Sequence, residues 1–259
     1  MIKPVLHYFN LADEVVSFST TRHGGVSKGK LATLNINPHR GDEPSAVAEN
    51  LQAVASEIGV EADKVIRLHQ IHETHCLTVT DAFFRLSAAG QYEMEEGKDA
   101  VVTDCRNVCI GVHTADCVPI LFYDPVHHAI GAAHAGWRGT VQRIAQHTLR
   151  KMTELYGTDP KELKAVVGPC ISLKNFEVGQ EVYDAFSAAG FPMERIARMY
   201  EKWHIDLPLC NQLQLEELGV PAANILQSGI CTYDNASDFF SARILKEGFG
   251  TIYTGIALK

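Results

Sequence analysis

Three places where an apolar run meets a turn carry side chains able to bind a metal ion: His72 in "HQIHETH" (69–75), Cys117 in "HTADCVPI" (113–120) and His134 in "AAHAGWRGT" (132–140). Two imidazoles and one thiolate suit zinc, and three protein ligands leave a fourth tetrahedral position open for water or substrate, as in a catalytic site. Their separations along the chain match no compact finger, so each residue also keeps a core or surface role as an alternative. Cys117 has a second chemistry: with His134 or His72 as base it would be the nucleophile of a Cys/His hydrolase or transferase. A thiolate serves either purpose. Asp116 beside it could orient an imidazole, act as a general acid or base, or cap a turn. His69 and His75 flank His72, but a strand turns His72 away from both and a helix drifts with each three-residue step, so at most one or two share a site. Cys105 and Cys109 lack the second pair of a finger, and Cys170 in "GPC" lacks the following cysteine of the zinc-deaminase signature.

Anion binding has its own candidates. "GWRGT" (136–140) opens a helix, whose first N–H groups attract phosphate or carboxylate. Arg138 there and Arg22 in "STTRHGG" are candidate phosphate forks, with a surface salt bridge as the alternative for either. Trp137 and Tyr123 could stack on a ring or simply pack.

The elements that must position these residues are legible from periodicity. "VVSFST" (15–20) has strand composition and stops at two glycines, and from Asp42 the residues Val47, Leu51, Val54, Ala55 and Ile58 recur at helical spacing up to Gly59. "KVIRL" and "HCLTVT" read as strands around "HQIH", and the polar stretch 81–98 reads as a long loop or lid. Three nearly continuous apolar runs follow, at 108–114, 118–124 and 129–136, as expected of strands buried on both faces. "RGTVQRIAQHTLRKMTELYG" (138–157) predicts one helix with Val141, Ile144, Ala145, Leu149, Met152 and Leu155 on its stripe. "LKAVVGPC" reads as a buried strand, 179–190 and 206–219 as helices, and "ILQSGICTY" and "GTIYTGIAL" as late strands. The order predicts one layered mixed α/β or α+β domain spanning 1–259.

Composition narrows the partners. The chain has 259 residues, 46% hydrophobic, with a formal charge of −8 and no basic cluster, which argues against nucleic acid. No apolar run approaches the roughly 20 residues of a membrane helix, and the N-terminus lacks a signal-peptide core, so a cytoplasmic protein with reduced thiols is expected.

The motifs "STTRHGGVS", "LNINPHRGD", "HQIH", "HTADCVPILFYD", "AAHAGWRGT", "VGPCIS" and "CTY…FFSAR" occur in the order of one family, known as polyphenol oxidase or laccase domain and also as purine nucleoside phosphorylase. The chain resembles that family over essentially its whole length. The resemblance implies a mixed-sheet fold like that of a Cys/His toxin deamidase, and zinc ligands at His72, Cys117 and His134. It implies phosphorolysis of adenosine, inosine, guanosine and methylthioadenosine, together with adenosine deamination. On the substrate side stand Arg22, Arg138, Asn35 and Arg243, with Cys117, Asp116 or His69 in catalytic roles. One departure from the family pattern is Ile244, where a second arginine is expected. The oxidase name needs four coppers and paired H-x-H motifs, and this sequence has none, although copper could displace zinc in an N/S site. The alternatives are a Cys/His hydrolase that edits peptidoglycan precursors, a copper-loaded oxidase, and a non-catalytic binding module.

Overall fold

The structure is a computed structural model describing residues 2–259. Leu6–Tyr8 (β1) pairs with Val15–Thr20 (β2), the strand expected at 15–20. Helix Pro44–Ile58 (α1) has its proline in the first turn and stops at Gly59, φ 77°, where the left-handed C-cap favours glycine. It buries all five residues of its predicted stripe. "KVIRL" forms no strand, because only Val65 finds a partner, in an isolated bridge to Cys109. Of "HCLTVT", Cys76–Thr78 (β3) is strand. The stretch expected as a loop contains Ala88–Glu95 (α2), capped by the Ser87 side chain accepting from the Gly90 N–H. That helix buries none of its residues, so it has no apolar stripe to betray it.

Ala100–Thr103 (β4), Cys109–Thr114 (β5), Val118–Asp124 (β6) and Ala129–Ala135 (β7) are buried at every residue. The single helix expected at 138–157 is two, Trp137–Val141 (α3) and Ile144–Tyr156 (α4), parted by Arg143 at φ 64°. Tertiary contacts impose the break: the Arg143 guanidinium donates to Ala189 O (2.9 Å) and lies 3.9 Å from the Phe191 ring centroid. Lys164–Val167 (β8), Glu177–Val178 (β9), Gln180–Ala188 (α5), Met193–Ile196 (α6), Ala197–Met199 (β10), Trp203–Ile205 (β11), Leu207–Glu217 (α7), Ile225–Gln227 (β12), Ala242–Leu245 (α8) and Ile252–Leu258 (β13) complete the chain.

The strands form a six-stranded mixed sheet in the order β12-β8-β6-β7-β4-β3, a four-stranded antiparallel sheet β1-β2-β13-β5, and a small sheet β10-β11-β9. The two larger sheets face each other across a core containing Val101, Ile110, Val112, Leu121, Ile130 and Ile256. On its outer face the four-stranded sheet meets Leu51, Val54 and Ala55 of α1, while the six-stranded sheet meets α4, α5 and α7 through Leu149, Phe186 and Leu213. Helix, sheet, sheet and helices thus stack as four layers. This explains the continuous apolar runs even though their pairing is largely antiparallel: each central strand has a packed layer on both faces. Among the described residues no helix is long and apolar enough to cross a membrane.

Candidate metal centre

β5 belongs to one sheet and β6 to the other, so the short link from Thr114 to Val118 must cross between them. Asp116 makes that turn at φ 81°, a left-handed conformation that Asp tolerates better than most residues. It is held there by its own carboxylate, which accepts from the Thr232 hydroxyl (2.6 Å), the Ser241 hydroxyl (3.0 Å) and the Arg243 backbone N–H (2.7 Å). The result places Cys117 at the end of the inter-sheet gap. His134, at the far end of β7, pairs with Pro119 beside it.

His72 is delivered by coil, at φ 67°. Its loop is organised by Asp99, which is completely buried and accepts from the backbone N–H groups of Ile71, His72 and Glu73 at 3.1, 3.0 and 2.9 Å. The same carboxylate receives His134 Nδ1–H at 2.8 Å. One side chain therefore sets the position of one imidazole and the tautomer of the other, freeing His134 Nε2 to act as a donor atom. Burial pushes the Asp99 carboxyl up, but the His134 and backbone hydrogen bonds outweigh it and hold it below the usual range.

The donor atoms of His72, Cys117 and His134 all lie within 4.8 Å of one another. Ligand arms of about 2.0–2.3 Å require such proximity. Gly136 makes room for it: a Cβ there would stand 3.1 Å from both Cys117 Sγ and His72 Cδ2. Burial alone pushes the Cys117 thiol up, yet the neighbouring His134 and His72 bring it down to about 6. His134 is pushed down by burial and raised by Cys117 and Asp99 to about 9. Two nitrogens and one sulfur held this way fit a metal ion with one open position.

The triad borders a cavity of about 250 Å³ also lined by Asn37, His39, Arg40, His69, His113 and Thr251. Arg40 donates Nε–H to Phe249 O (3.0 Å) and lies over the Phe249 ring at 4.3 Å, leaving its terminal nitrogens available. His39 and His69 stack at 4.1 Å, and His69 Nδ1 meets Glu96 Oε2 at 2.6 Å. His113 is 4% exposed, and its Nε2 has no partner. Its Nδ1 lies 3.3 Å from Thr251 Oγ1, which already accepts from Asn37 Nδ2 at 3.2 Å. The Thr251 hydroxyl has no other acceptor among the described residues, so its proton is assigned to Nδ1; that leaves the His113 N–H on Nε2, unpartnered among the described residues and buried just behind the cavity lining. Burial, helped by nearby cations, holds this imidazole neutral.

Of the residues singled out from sequence, His72, Cys117, His134 and His69 come together here. Asp116 adjoins Cys117 but turns its carboxylate into the hydrogen bonds described above. Arg22 spends Nε on Ala32 O and Nη1 on Ala236 O, and Asn35 spends its amide nitrogen on Asn37 O and Asp42 Oδ2. Arg138 is exposed against Trp137, and Arg243 is exposed, donating to Glu177 O. None of these four lines the cavity. Tyr123, considered for ring stacking, is fully buried in the inter-sheet core. The residues missed are Asp99, Arg40, His39 and His113. "NPHRGD" could have signalled two of them, whereas nothing local marks an aspartate preceding a strand.

A family model described as multi-copper polyphenol oxidoreductase laccase matches residues 16–259. The chain is 41% identical to the purine nucleoside phosphorylase of Bacteroides thetaiotaomicron, covering 99% of this chain and 97% of the relative. It is 36% identical to adenosine deaminase RL5 of an unknown prokaryotic organism, covering 98% of each. Among solved structures, the hypothetical protein YfiH of Bacillus licheniformis superimposes with a TM-score of 0.91 at 31% identity, covering 99% and 97% of the two chains. YlmD from Geobacillus stearothermophilus gives 0.89 at 30% identity, covering 97% and 94%. Among the described residues a single group of three metal-capable donors is present, too few for the four coppers of the family's name. The layered fold, the His-Cys-His centre and these likenesses agree: the chain belongs to the laccase-like polyphenol oxidoreductase family, whose relatives here carry the names purine nucleoside phosphorylase and adenosine deaminase.

Proposed function

We propose that this chain, working as one unit over 1–259, is a zinc-dependent purine nucleoside phosphorylase that accepts adenosine, inosine, guanosine and methylthioadenosine and also deaminates adenosine. The observation that carries the reading is the convergence of two imidazoles and a thiolate on the wall of a cavity that Arg40 also lines. His72, Cys117 and His134 hold the zinc; copper could take its place in such a donor set. When bound, the zinc supplies Lewis acidity at the cavity wall. Arg40 supplies the guanidinium fork for phosphate, in place of Arg22 and Arg138, while Asn35 shapes the loop that carries it. His113 donates its free N–H to an acceptor on the nucleoside. His69, anchored through Nδ1 on Glu96, passes a proton through Nε2 to the departing purine. Asp116 and Arg243 position the Cys117 turn. Adenosine incubated with and without phosphate, followed by product chromatography, tests the assignment. Adenine and ribose 1-phosphate formed only with phosphate support it; inosine in both conditions moves the weight to deamination, and absence of all products overturns it.

A second reading is favoured by the Cys117–His134 contact itself. A thiol brought to about 6 beside an imidazole raised to about 9 is the ionisation pattern of a Cys/His nucleophile pair, as in a hydrolase editing peptidoglycan precursors. Metal content separates the two: Cys117→Ser in a nucleophile enzyme keeps its zinc, and in a ligand role loses it.

A further inference from the structure

Away from this cavity, a second one of about 350 Å³ opens between β8, β12 and the loops that follow them, and two cysteines line it. Cys170 and Cys231 face each other in an isolated parallel bridge: Cys170 N–H donates to Ile230 O (3.2 Å) and Thr232 N–H to Cys170 O (3.0 Å). Bridged backbones run about 4.7–4.9 Å apart, within the Cα separation of about 4.4–6.8 Å that a disulfide spans. Both residues line the same cavity, and partners in a parallel bridge project their side chains to one side. The two are unequal. Cys231 Sγ accepts from the Ser172 backbone N–H (3.4 Å) and from Asn175 Nδ2 (3.2 Å), and these hydrogen bonds overcome burial to bring its thiol below the ordinary value. Cys170 has no such donors, and burial next to Cys231 pushes it well up. A thiol whose ionised form is favoured by two N–H donors, beside a buried thiol that lacks them and across a bridge from it, is the arrangement of an attacking and a resolving cysteine.

We propose that Cys231 and Cys170 form a redox-active pair that is oxidised by hydrogen peroxide. The Cys231 thiolate attacks one peroxide oxygen; the S–O bond forms, the O–O bond breaks, and hydroxide leaves to be protonated as water. The Cys170 sulfur then attacks Cys231, forming the disulfide, while the sulfenic hydroxyl departs with the Cys170 proton as a second water. Two thiols lose two electrons and one peroxide gains them. The pair is also wired to the metal centre. Ile171, next to Cys170, donates its N–H to Asp116 O, and Thr232, next to Cys231, donates its hydroxyl to Asp116 Oδ1. Closing the bridge pulls on both supports of the Cys117 turn and lowers turnover, a consequence that rests on the nucleoside reading above.

The experiment uses the full chain saturated with zinc(II), treated with hydrogen peroxide, quenched by alkylation and mapped by peptide mass spectrometry. The expected result is a Cys170–Cys231 cross-link removed by dithiothreitol; in Cys170→Ser the reaction stops at a Cys231 sulfenic acid trapped by dimedone, and Cys231→Ser gives neither. Alkylated thiols at both positions while Cys105 or Cys117 oxidises would overturn the proposal. Turnover of adenosine is read on the same samples: loss on oxidation and recovery with dithiothreitol, absent in Cys170→Ser, supports the wiring. A cross-link with unchanged turnover overturns the wiring, and a reduced protein inactive on every nucleoside identifies failure of the functional reading while the cross-link is still read directly.

Discussion

The gap between the two sheets and the cavity at its end are built from the same strands to opposite rules. In the gap, Ile110, Val112, Leu121 and Ile130 are fully buried and apolar. Up to four residues further along β5 and β7, the chain buries His113, Thr114 and His134 and leaves His113 Nε2 and Thr114 Oγ1 without partners among the described residues, and the loops beside them turn through left-handed conformations at His72 and Asp116. Unpaired buried polar groups cost about 1–3 kcal/mol each, and left-handed non-glycine residues of order 1–3 kcal/mol. The gap supplies stability that the cavity spends on pre-set donors for a ligand.

Cys117→Ser breaks the comparison at its sharpest point: on the ligand assignment, zinc measured by atomic absorption falls to background and turnover with it, while circular dichroism of the folded chain is unchanged. Leu121→Ala does the reverse, lowering the unfolding free energy in urea by about 2–5 kcal/mol while the folded fraction keeps its metal. Asp99→Asn tests the link between the two regions, since it disturbs the His72 loop and the His134 tautomer together. Zinc affinity in competition titrations should weaken about 10–100-fold. For His113→Leu, stability should stay within about 1 kcal/mol of the parent, because an unpaired N–H is removed as Thr251 loses its partner. The KM for the nucleoside should rise about tenfold, or about 1.4 kcal/mol.

Acid and base sharpen the picture in metal-stripped protein. Cys117, lowered to about 6 from 9.0, adds stability that is complete above pH 9 and lost as pH falls through about 6. His134, raised to about 9 from 6.5, adds stability that is complete below pH 6.5 and lost as pH rises through about 9. What the thiolate gains from pH 6 to 9 the imidazolium loses from 6.5 to 9, so the two nearly cancel and the urea midpoint of the stripped chain is expected to stay almost level across that range. Thiolate absorbance at about 240 nm of the folded, stripped chain should instead rise through about pH 6; a rise first near pH 9 would show that the thiolate–imidazolium pair does not form.

What the sequence determined by itself was whatever depends on neighbours in the chain. The central runs at 108–114, 118–124 and 129–136 declared buried strands because their residues are apolar almost without interruption, and α1 declared itself by its stripe and its Gly59 stop. The donor types at His72, Cys117 and His134 were equally visible, because a histidine or cysteine at a turn is conspicuous among apolar residues. Tertiary structure decided the rest. Arg143 breaks a well-patterned helix because Ala189 and Phe191, far along the chain, hold its side chain. Arg22 and Asn35, polar residues within motifs, spend their donors on backbone carbonyls and, for Asn35, on the Asp42 carboxylate, whereas Arg40 lines the cavity. Asp99 and His113 matter through bonds to residues 26–28 and 138 positions away, respectively. Periodicity reports which face of an element is buried; only the packed fold brings together donors that no local pattern relates.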